Sequence, residues 1–361
     1  MELNQPKRAT PYLVAFASII IIIAGLKVAA PILVQLLMAL FVAVICMPSI
    51  RWMEDHKVPR SMAVIIVLAV ILAFVYAIFA LVGDSINAFN ANKEFYIEQL
   101  DGRIKSIFAW LSEQGIPVEA VNIGAAFENI DIMSMITLVL GGVGNIFSDF
   151  FIIFLSVIFI LAEATSFPAK FANAFADAKD KMVHVNHILS KIRHYLAIKA
   201  ATSLLTGVLA SICLVIIGVD YPFLWGMLAF LLNFIPTLGS LIAAVPPVIL
   251  SLIQLGPIGV VWTAASYFAI NNIVGNYLEP KLMGRMLGLS AFVVFLSLIV
   301  WGYIFGSVGM FLSVPLTMMI KIALDTSEKT RWLGILLGPE DDANVKALDE
   351  PETSLEETEN K

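Results

Sequence analysis

Long apolar runs separated by short polar segments dominate this chain of 361 residues. Several runs exceed the roughly 20 residues that a helix needs to cross a bilayer. The pattern predicts an all-α polytopic membrane protein with about 6–8 transmembrane helices. Lys7 and Arg8 precede the first run, and a further run begins at Val28, which favours an uncleaved first span over a signal peptide. The predicted spans lie at about 12–26, 28–50, 61–83, 136–162, 199–218, 223–253, 258–276 and 287–324.

The stretch Asn233-Phe-Ile-Pro-Thr-Leu-Gly-Ser240 interrupts the apolar run 223–253 with polar residues, a proline and a glycine. A plain membrane helix excludes such a stretch, because proline and glycine weaken helices and polar side chains are costly in hydrocarbon. Non-helical backbone at membrane depth is tolerated where it is buried in protein or lines a wet cavity. Transporters place substrates and ions at broken helices of this kind. The stretch is therefore the first candidate for a functional site.

Charge in the connecting segments predicts the orientation of the spans. The N-terminus, the segment 51–60 and the segment 163–199 are basic, the last with six basic residues against three acidic ones. The segment 84–131 carries eight acidic residues against three basic ones. We therefore expect the basic segments and the C-terminus in the cytoplasm, and 84–131 outside it.

The same rule favours two re-entrant helical hairpins. A single crossing by 223–253 would leave Lys281 and Arg285 outside, whereas a hairpin that turns at 236–239 returns them to the cytoplasm. Each arm would have about 13–15 residues, which is short for a full span. A second hairpin is expected in 287–324, where Trp301-Gly-Tyr-Ile-Phe-Gly-Ser-Val-Gly309, Ser313 and Pro315 interrupt the run. A kinked continuous helix at each place is the alternative.

Four segments follow from this pattern. They are transmembrane helices 1–3 in 1–83, an extracytoplasmic helical segment in 84–135, a transport core in 136–337 with a cytoplasmic segment 163–198 and both hairpins, and a disordered acidic tail in 338–361. The extracytoplasmic segment carries apolar residues at heptad spacing, which would pack on their own subunit or on another one. These seam residues are Ile97, Leu100, Ile104, Ile107 and Leu111.

Composition agrees with a membrane protein and argues against other classes. Hydrophobic residues make up 60% and charged residues 14% of the chain, outside the usual range of soluble domains. The net charge is −6, and no basic stripe with interleaved aromatics indicates a nucleic-acid partner. Cys46 and Cys213 lie far apart in apolar runs, which favours ordinary buried cysteines over a disulfide or metal site.

No cofactor or enzymatic activity is expected. Gly141-Gly-Val-Gly144 lacks the following Lys-Ser/Thr of a phosphate-binding loop, which argues against ATP-driven pumping. The histidines His184, His187 and His194 have no carboxylate or cysteine at ligand spacing, so solvated helix residues are favoured over a metal site.

Polar residues within apolar surroundings are the remaining candidates for chemistry. Helical periodicity places Asn272, Asn276 and Glu279 on one face. With the polar residues of 233–240, these amides and hydroxyls suit a small hydroxylated solute, since each group both donates and accepts without a fixed charge. Hydrogen bonding between helices is the alternative role. Pairing of Glu279 with Lys281 or Arg285 is a further alternative. Three more carboxylates are candidates for ion carriers or for interfacial groups, namely Asp149, Glu163 and Asp325.

Five motifs resemble those of the autoinducer-2 exporter family, in order and over about 12–324. They are Asn233-Phe-Ile-Pro-Thr-Leu-Gly-Ser240, Ala244-Val-Pro-Pro247, Asn276-Tyr-Leu-Glu-Pro-Lys-Leu-Met-Gly284, Leu287-Gly-Leu-Ser290 and Gly306-Ser-Val-Gly-Met-Phe-Leu-Ser-Val-Pro315.

The resemblance implies a multispan bacterial inner-membrane protein that exports a small quorum-sensing signal, autoinducer-2, by alternating access with two hairpins. It also implies a homo-oligomer, with a pentamer as the expected form. A Na⁺(Li⁺)/H⁺ antiporter and a non-transporting membrane scaffold remain alternatives. The partners expected are the small polar metabolite, the lipid bilayer and further copies of the chain. The candidate substrate-binding residues are Asn233, Pro236, Thr237, Gly239, Ser240, Asn272, Asn276, Glu279, Gly306, Ser307, Gly309 and Ser313.

Overall fold

The computed structural model describes residues 9–113, 150–164, 170, 178–236, 238–284, 288–326 and 329–339. These residues are helical or lie in short connections, and no strand occurs among them. Several predictions concern residues outside this set, including Gly141–Gly144, Asp149, Thr237, Arg285 and the tail after 339. The helices are α1 Ala9–Asp55, α2 Arg60–Ala91, α3 Lys93–Glu113, α4 Phe150–Glu163, α5 Ala178–Ile217, α6 Pro222–Leu232, α7 Leu238–Leu255, α8 Pro257–Ile270, a π-helix Asn271–Leu278, α9 Glu279–Met283, α10 Ala291–Thr326 and α11 Arg331–Leu336.

Six helices in the described part of the chain are long and apolar enough to span a membrane. Two more apolar helices, Phe150–Glu163 and Pro222–Leu232, are shorter. Most large apolar side chains on the long helices are exposed, for example Ile21 and Val70. That exposure is expected where lipid, rather than protein, covers the helix surface. The prediction of an all-α polytopic membrane protein is confirmed.

Helix α1 differs from the two spans predicted for this region. It runs without a break through 47 residues, a length of roughly 70 Å at about 1.5 Å per residue. Lys27, between the two predicted spans, lies within the helix and places its ammonium 3.6 Å from the centre of the Tyr303 ring. The two spans predicted at 12–26 and 28–50 therefore belong to one helix, and the placement of the N-terminus and of 51–60 in the cytoplasm stays a prediction.

The chain divides into two compact units. One contains 35–179 and 196–282, and the other contains 1–34, 180–195 and 283–361. Each unit holds one of the predicted hairpins. We call α6 with α7 hairpin 1, in the first unit, and the two arms of α10 hairpin 2, in the second.

Hairpin 1 breaks where the sequence predicted. Helix α6 ends at Leu232 and α7 begins at Leu238. The chain reverses so sharply that a Cβ on Gly239 would lie 1.8 Å from the Leu232 carbonyl oxygen. The arms are unequal, with 11 residues in α6 and 18 in α7, rather than about 13–15 in each. At roughly 16 Å, α6 is too short to cross a hydrocarbon core of about 30 Å.

Hairpin 2 is confirmed by a contact that a straight helix forbids. The Trp301 indole Nε1 donates to the Thr317 hydroxyl at 2.9 Å, whereas 16 residues of straight helix would separate them by about 24 Å. The reversal is at Gly306, with φ 67° and ψ −148°. Glycine adopts such a left-handed φ without steric cost. Gly309 allows the same close approach of two arms that Gly239 allows in hairpin 1, because a Cβ on Gly309 would lie 1.9 Å from the Trp301 carbonyl oxygen.

Helix α3 packs on its own unit through one face. Tyr96 is 1% exposed, stacks on Phe89 with ring centroids 5.4 Å apart, and donates to Asp220 Oδ2 at 2.8 Å. Ile97, the first residue of the predicted heptad seam, is 47% exposed. The side chains of the other seam residues lie outside the described set. Packing on its own subunit therefore holds for the Tyr96 face, and a contact between subunits through the seam remains a prediction.

Candidate functional site

The tip of hairpin 1 is tied to helix α5 by a buried hydrogen bond. Asn233 follows the last residue of α6 and is 6% exposed. Its Nδ2 donates to the Ser203 hydroxyl at 3.0 Å. Ser203 lies 14 residues before the end of α5 at Ile217, a distance of roughly 21 Å along the helix. The hydrogen bond therefore holds the tip of hairpin 1 against α5 well before the end of that helix.

The other side of the same tip is tied to the π-helix. The Ser240 hydroxyl donates to Asn271 Oδ1 at 2.8 Å. Asn271 is the first residue of an eight-residue π-helix, and such i→i+5 segments occur mostly at functional sites. Gly275 lies on the same side, where a Cβ would come 3.0 Å from Asn271 Oδ1. The widened helix thus presents a side-chain amide to the hairpin tip.

The π-helix and α5 are joined in turn by an ion pair. Lys199 Nζ lies 2.6 Å from Glu279 Oε1, and the Thr202 hydroxyl donates to Glu279 Oε2 at 3.2 Å. Lys199 is 4% exposed, which a lysine tolerates only when its charge is paired. Glu279 pairs with Lys199 rather than with the alternative partner Lys281, whose ammonium lies 5.4 Å from the centre of the Tyr277 ring. Arg285 lies outside the described residues.

Hairpin 1, α5 and the π-helix with the start of α9 therefore form a ring of three elements, each joined to the next by polar side chains. We call this ring the polar triangle. It consists of Asn233, Ser240, Asn271, Glu279, Lys199, Thr202 and Ser203.

Three of the four buried polar residues on one face of α5 belong to the polar triangle and are not among the predicted site residues. Lys199, Thr202, Ser203 and Thr206 are all buried and lie on one helix face, because they are spaced 3, 1 and 3 residues apart. That spacing is visible in the sequence. However, Lys199 stands at the boundary between a predicted cytoplasmic segment and a predicted span, where a lysine is expected to be solvated rather than buried. Asn271 was also left out, since a regular α-helix would have favoured Asn272.

The charges of the triangle cancel. Its ammonium and its carboxylate are in direct contact, and the remaining groups are amides and hydroxyls. At membrane depth a net charge would be expensive, whereas neutral polar groups need only hydrogen-bond partners. The arrangement suits a solute that is polar and uncharged.

The other predicted residues of this unit have more local contacts. Asn272 Nδ2 donates to the Phe268 carbonyl at 2.8 Å, and the exposed Asn276 donates to Asn272 Oδ1 at 3.2 Å. The Pro236 carbonyl accepts from Leu238 N at 2.6 Å within the turn. Gly239 provides the close approach of the two arms. Thr237 lies outside the described residues.

At hairpin 2 the predicted residues have different surroundings. Gly306 and Ser307 are exposed at the reversal, and Gly309 packs against the Trp301 backbone. Ser313 is fully buried and donates to the carbonyl of Met310 in its own helix at 2.8 Å. Ser307 is thus a better candidate for contact with a solute than Ser313.

The remaining predicted ion carriers have ordinary interfacial contacts. Exposed Glu163 forms an ion pair with Lys170, and Asp325 pairs with Lys321 at 3.3 Å. His194 is exposed, and the side chains of His184 and His187 lie outside the described set. Among the described residues, no cluster of three histidines, cysteines or carboxylates could hold a metal ion.

A second polar cluster lies at the opposite end of α5. Tyr96 contacts both Asp220 and, at 3.2 Å, the Tyr221 hydroxyl. Gln254 at the end of α7 donates to the same Asp220 carboxylate. Burial, and then the hydrogen bonds to Tyr221 and Asp220, raise the pKa of Tyr96 far above its usual range. The cluster anchors the base of hairpin 1 to α3.

Comparison with known proteins agrees with this architecture. The family model described as "AI-2E family transporter" matches residues 16–329. A putative transport protein of Haemophilus influenzae is 39% identical over 337 residues, which cover 91% of this chain and 97% of the relative. The AI-2 transport protein TqsA of Escherichia coli K12 is 36% identical over 319 residues, or 88% of this chain and 93% of TqsA. The putative transport protein YhhT of the same strain is 34% identical over 340 residues, with 94% and 97% coverage.

Proposed function

Because the chain belongs to the AI-2E transporter family, we propose that it is a secondary transporter that exports a small, uncharged polar metabolite across the bacterial inner membrane. The polar triangle carries this proposal, since it gathers amides and hydroxyls around a hairpin tip and neutralises its own charges. The name of TqsA, an AI-2 transport protein, supports autoinducer-2 as the substrate. In this proposal the protein works as a homo-oligomer with its C-terminus in the cytoplasm.

Amides and hydroxyls fit a hydroxylated solute for a physical reason. An amide carries two N–H donors and one acceptor oxygen, and a hydroxyl both donates and accepts. The contact between Asn233 and Ser203 uses one of the two amide donors. A solute rich in hydroxyl groups can exchange hydrogen bonds with such a site without leaving a charge unsolvated.

The free energies of these hydrogen bonds and of the ion pair indicate which contacts break during transport. A neutral hydrogen bond such as Asn233–Ser203 or Ser240–Asn271 contributes about 1 kcal/mol net. Separating a buried ion pair costs about 3–5 kcal/mol, because it leaves a charge without a partner. Hairpin 1 therefore leaves α5 and the π-helix by exchanging neutral hydrogen bonds for bonds to the solute, while Lys199 and Glu279 stay together.

Hairpin 2 has a gating role of its own in this proposal. Its tip repeats the construction of hairpin 1, with a glycine packed against a backbone carbonyl of the preceding arm. The exposed Gly306 and Ser307 provide backbone and hydroxyl groups at the reversal. Solute access alternates as the two hairpins open in turn.

A Na⁺(Li⁺)/H⁺ antiporter is the second candidate. The observation in its favour is a carboxylate, Glu279, between two membrane elements, since such groups mark ion pathways. The contact of Glu279 with Lys199 weighs against it, because the ammonium already compensates the carboxylate. Antiport requires that Glu279→Gln abolish cation-dependent proton flux.

Efflux of labelled autoinducer-2 from reconstituted vesicles, with and without a proton gradient, tests the proposal. We expect saturable efflux, slowed several-fold by Asn233→Ala and by Ser240→Ala. Ser251→Ala is the matched control, because Ser251 is a buried polar residue of hairpin 1 that donates to the Val248 carbonyl of its own helix at 2.8 Å. Absence of saturable efflux under both conditions would remove autoinducer-2 as the substrate. Equal effects of all three substitutions would remove the hairpin tip as its site.

A further inference from the structure

We propose that Glu279 and Thr202 form a monovalent-cation site whose resident cation is the ammonium group of Lys199. The protein then needs no Na⁺ or Li⁺ at this position. A variant without the ammonium acquires a requirement for such an ion. The inference depends on the proposed function only for its consequence in transport.

The donor atoms around the ammonium are those that a hard cation prefers. Glu279 provides two carboxylate oxygens, one of them 2.6 Å from Lys199 Nζ. The Thr202 hydroxyl lies 3.2 Å from the other carboxylate oxygen and 3.2 Å from the Lys199 carbonyl. Hard cations bind carboxylate, hydroxyl and carbonyl oxygens. The ammonium contacts one of these oxygens, and the other carboxylate oxygen with the Thr202 hydroxyl beside it completes a donor set that could also accept an alkali ion.

Burial makes occupancy of this site obligatory. Side-chain exposure is 6% for Lys199 and 16% for Glu279, so water replaces the ammonium poorly. A buried carboxylate that loses its counter-charge is strongly destabilising. Removal of the ammonium therefore creates a demand for a positive charge, and a small cation satisfies it if the oxygens remain in place.

The position of the pair links the site to the substrate. Lys199 is four residues before Ser203 on α5, and Glu279 directly follows the π-helix that begins at Asn271. Both hydrogen bonds of hairpin 1 thus end on elements, α5 and the π-helix, that the Lys199–Glu279 ion pair holds together. Because the ammonium is part of the chain, α5 and the π-helix stay joined at every ion concentration, and substrate release is independent of sodium.

A purely structural ion pair and a resident cation make different predictions. If the ion pair only stabilises the fold, loss of the ammonium lowers the unfolding midpoint equally in every salt. If the ammonium occupies a cation site, sodium or lithium compensates for its loss and a bulky organic cation does not. The size and saturability of the salt effect separate the two.

The test is the thermal unfolding midpoint of the purified full-length protein in choline chloride, with NaCl or LiCl substituted at constant ionic strength. The unsubstituted protein should show no cation-specific shift. Lys199→Met should have a lower midpoint in choline, and sodium or lithium should restore at least half of the loss in a saturable manner. Lys199→Met combined with Glu279→Gln should lose this response. Lys199→Gln, which removes the charge but keeps a polar side chain, is the second variant.

Lys321→Met is the matched control, because Lys321 also pairs with one carboxylate, Asp325, but that partner is 39% exposed. It should show no cation-specific response. The inference is overturned if Lys199→Met and Lys199→Gln respond alike to sodium, lithium and choline, or if the unsubstituted protein responds as they do. These readouts need no substrate, so a failed efflux experiment leaves them unaffected. In vesicles, sodium should accelerate efflux by Lys199→Met and leave the unsubstituted protein unchanged.

Discussion

Substitution of Gly239 by alanine tests the construction of hairpin 1. The added Cβ would lie 1.8 Å from the Leu232 carbonyl oxygen and 2.6 Å from its carbonyl carbon. An unstrained contact between carbon and oxygen needs about 3.3 Å, so the arms must separate by roughly 1.5 Å. The obstacle is backbone, which cannot rotate away. Overpacking of this kind costs about 1–3 kcal/mol, and we expect a loss at the upper end, near 3 kcal/mol.

Gly83→Ala is the matched control for this change. Gly83 lies within α2, and a Cβ there would meet nothing within 4 Å. Alanine is favoured over glycine in a helix interior by about 0.8–1 kcal/mol. The same chemical substitution should therefore raise stability at Gly83 and lower it at Gly239.

The assay is the thermal midpoint of the detergent-solubilised protein, followed by loss of the monodisperse peak in size-exclusion chromatography. We expect a lower midpoint for Gly239→Ala and an unchanged or higher one for Gly83→Ala. A Gly239→Ala protein as stable as the unsubstituted chain would refute the close approach of the two arms. Equal losses at both glycines would mean that the loss at Gly239 does not arise from the close approach of the two arms.

Three further predictions concern single contacts. Trp301→Phe and Thr317→Val should be coupled by about 1 kcal/mol in a double-mutant cycle of thermal stability, because the indole donates to the hydroxyl; additive effects would contradict the reversal of hairpin 2. Tyr96→Phe should lower the free energy of unfolding more near pH 8 than near pH 11. Because folding raises the pKa of Tyr96, the stabilisation by its neutral hydroxyl is complete below the ordinary pKa of about 10 and decreases above it. A pH-independent difference would contradict this. Asn271→Ala should slow efflux more than Asn272→Ala, by roughly fivefold for the loss of one hydrogen bond of about 1 kcal/mol; the reverse order would remove the π-helix amide from the site.

Helix breakers made the hairpins predictable from the sequence. Pro236 and Gly239 cannot continue a long membrane helix without cost, and Gly306 allows a backbone conformation that other residues avoid. The lengths of the arms were less accessible, because α7 continues through Pro246 and Pro247 to 18 residues.

The middle of α1 was misread for a physical reason. A lysine in an apolar run usually marks the end of a span, because its charge is costly in hydrocarbon. Lys27 satisfies its charge at the ring of Tyr303, almost 280 positions away in the chain. No local pattern contains that partner.

The polar triangle was only half predictable. Asn233, Ser240 and Glu279 were recognisable as polar residues in apolar surroundings, but their partners depend on which helices meet. A π-helix has no sequence signature of its own, so the choice between Asn271 and Asn272 required the backbone geometry. Lys199 could have been identified from its spacing to the buried hydroxyls of α5, although not its pairing with a residue 80 positions later.

Solute counterflow tests the central claim most directly. Vesicles containing the protein are loaded with unlabelled autoinducer-2 and diluted into labelled autoinducer-2, with no ion gradient. A transporter that alternates access to a neutral solute predicts a transient accumulation of label above its equilibrium level, reduced by Asn233→Ala and retained by Ser251→Ala. Label that only approaches equilibrium, at the same rate as in protein-free vesicles, would contradict the account.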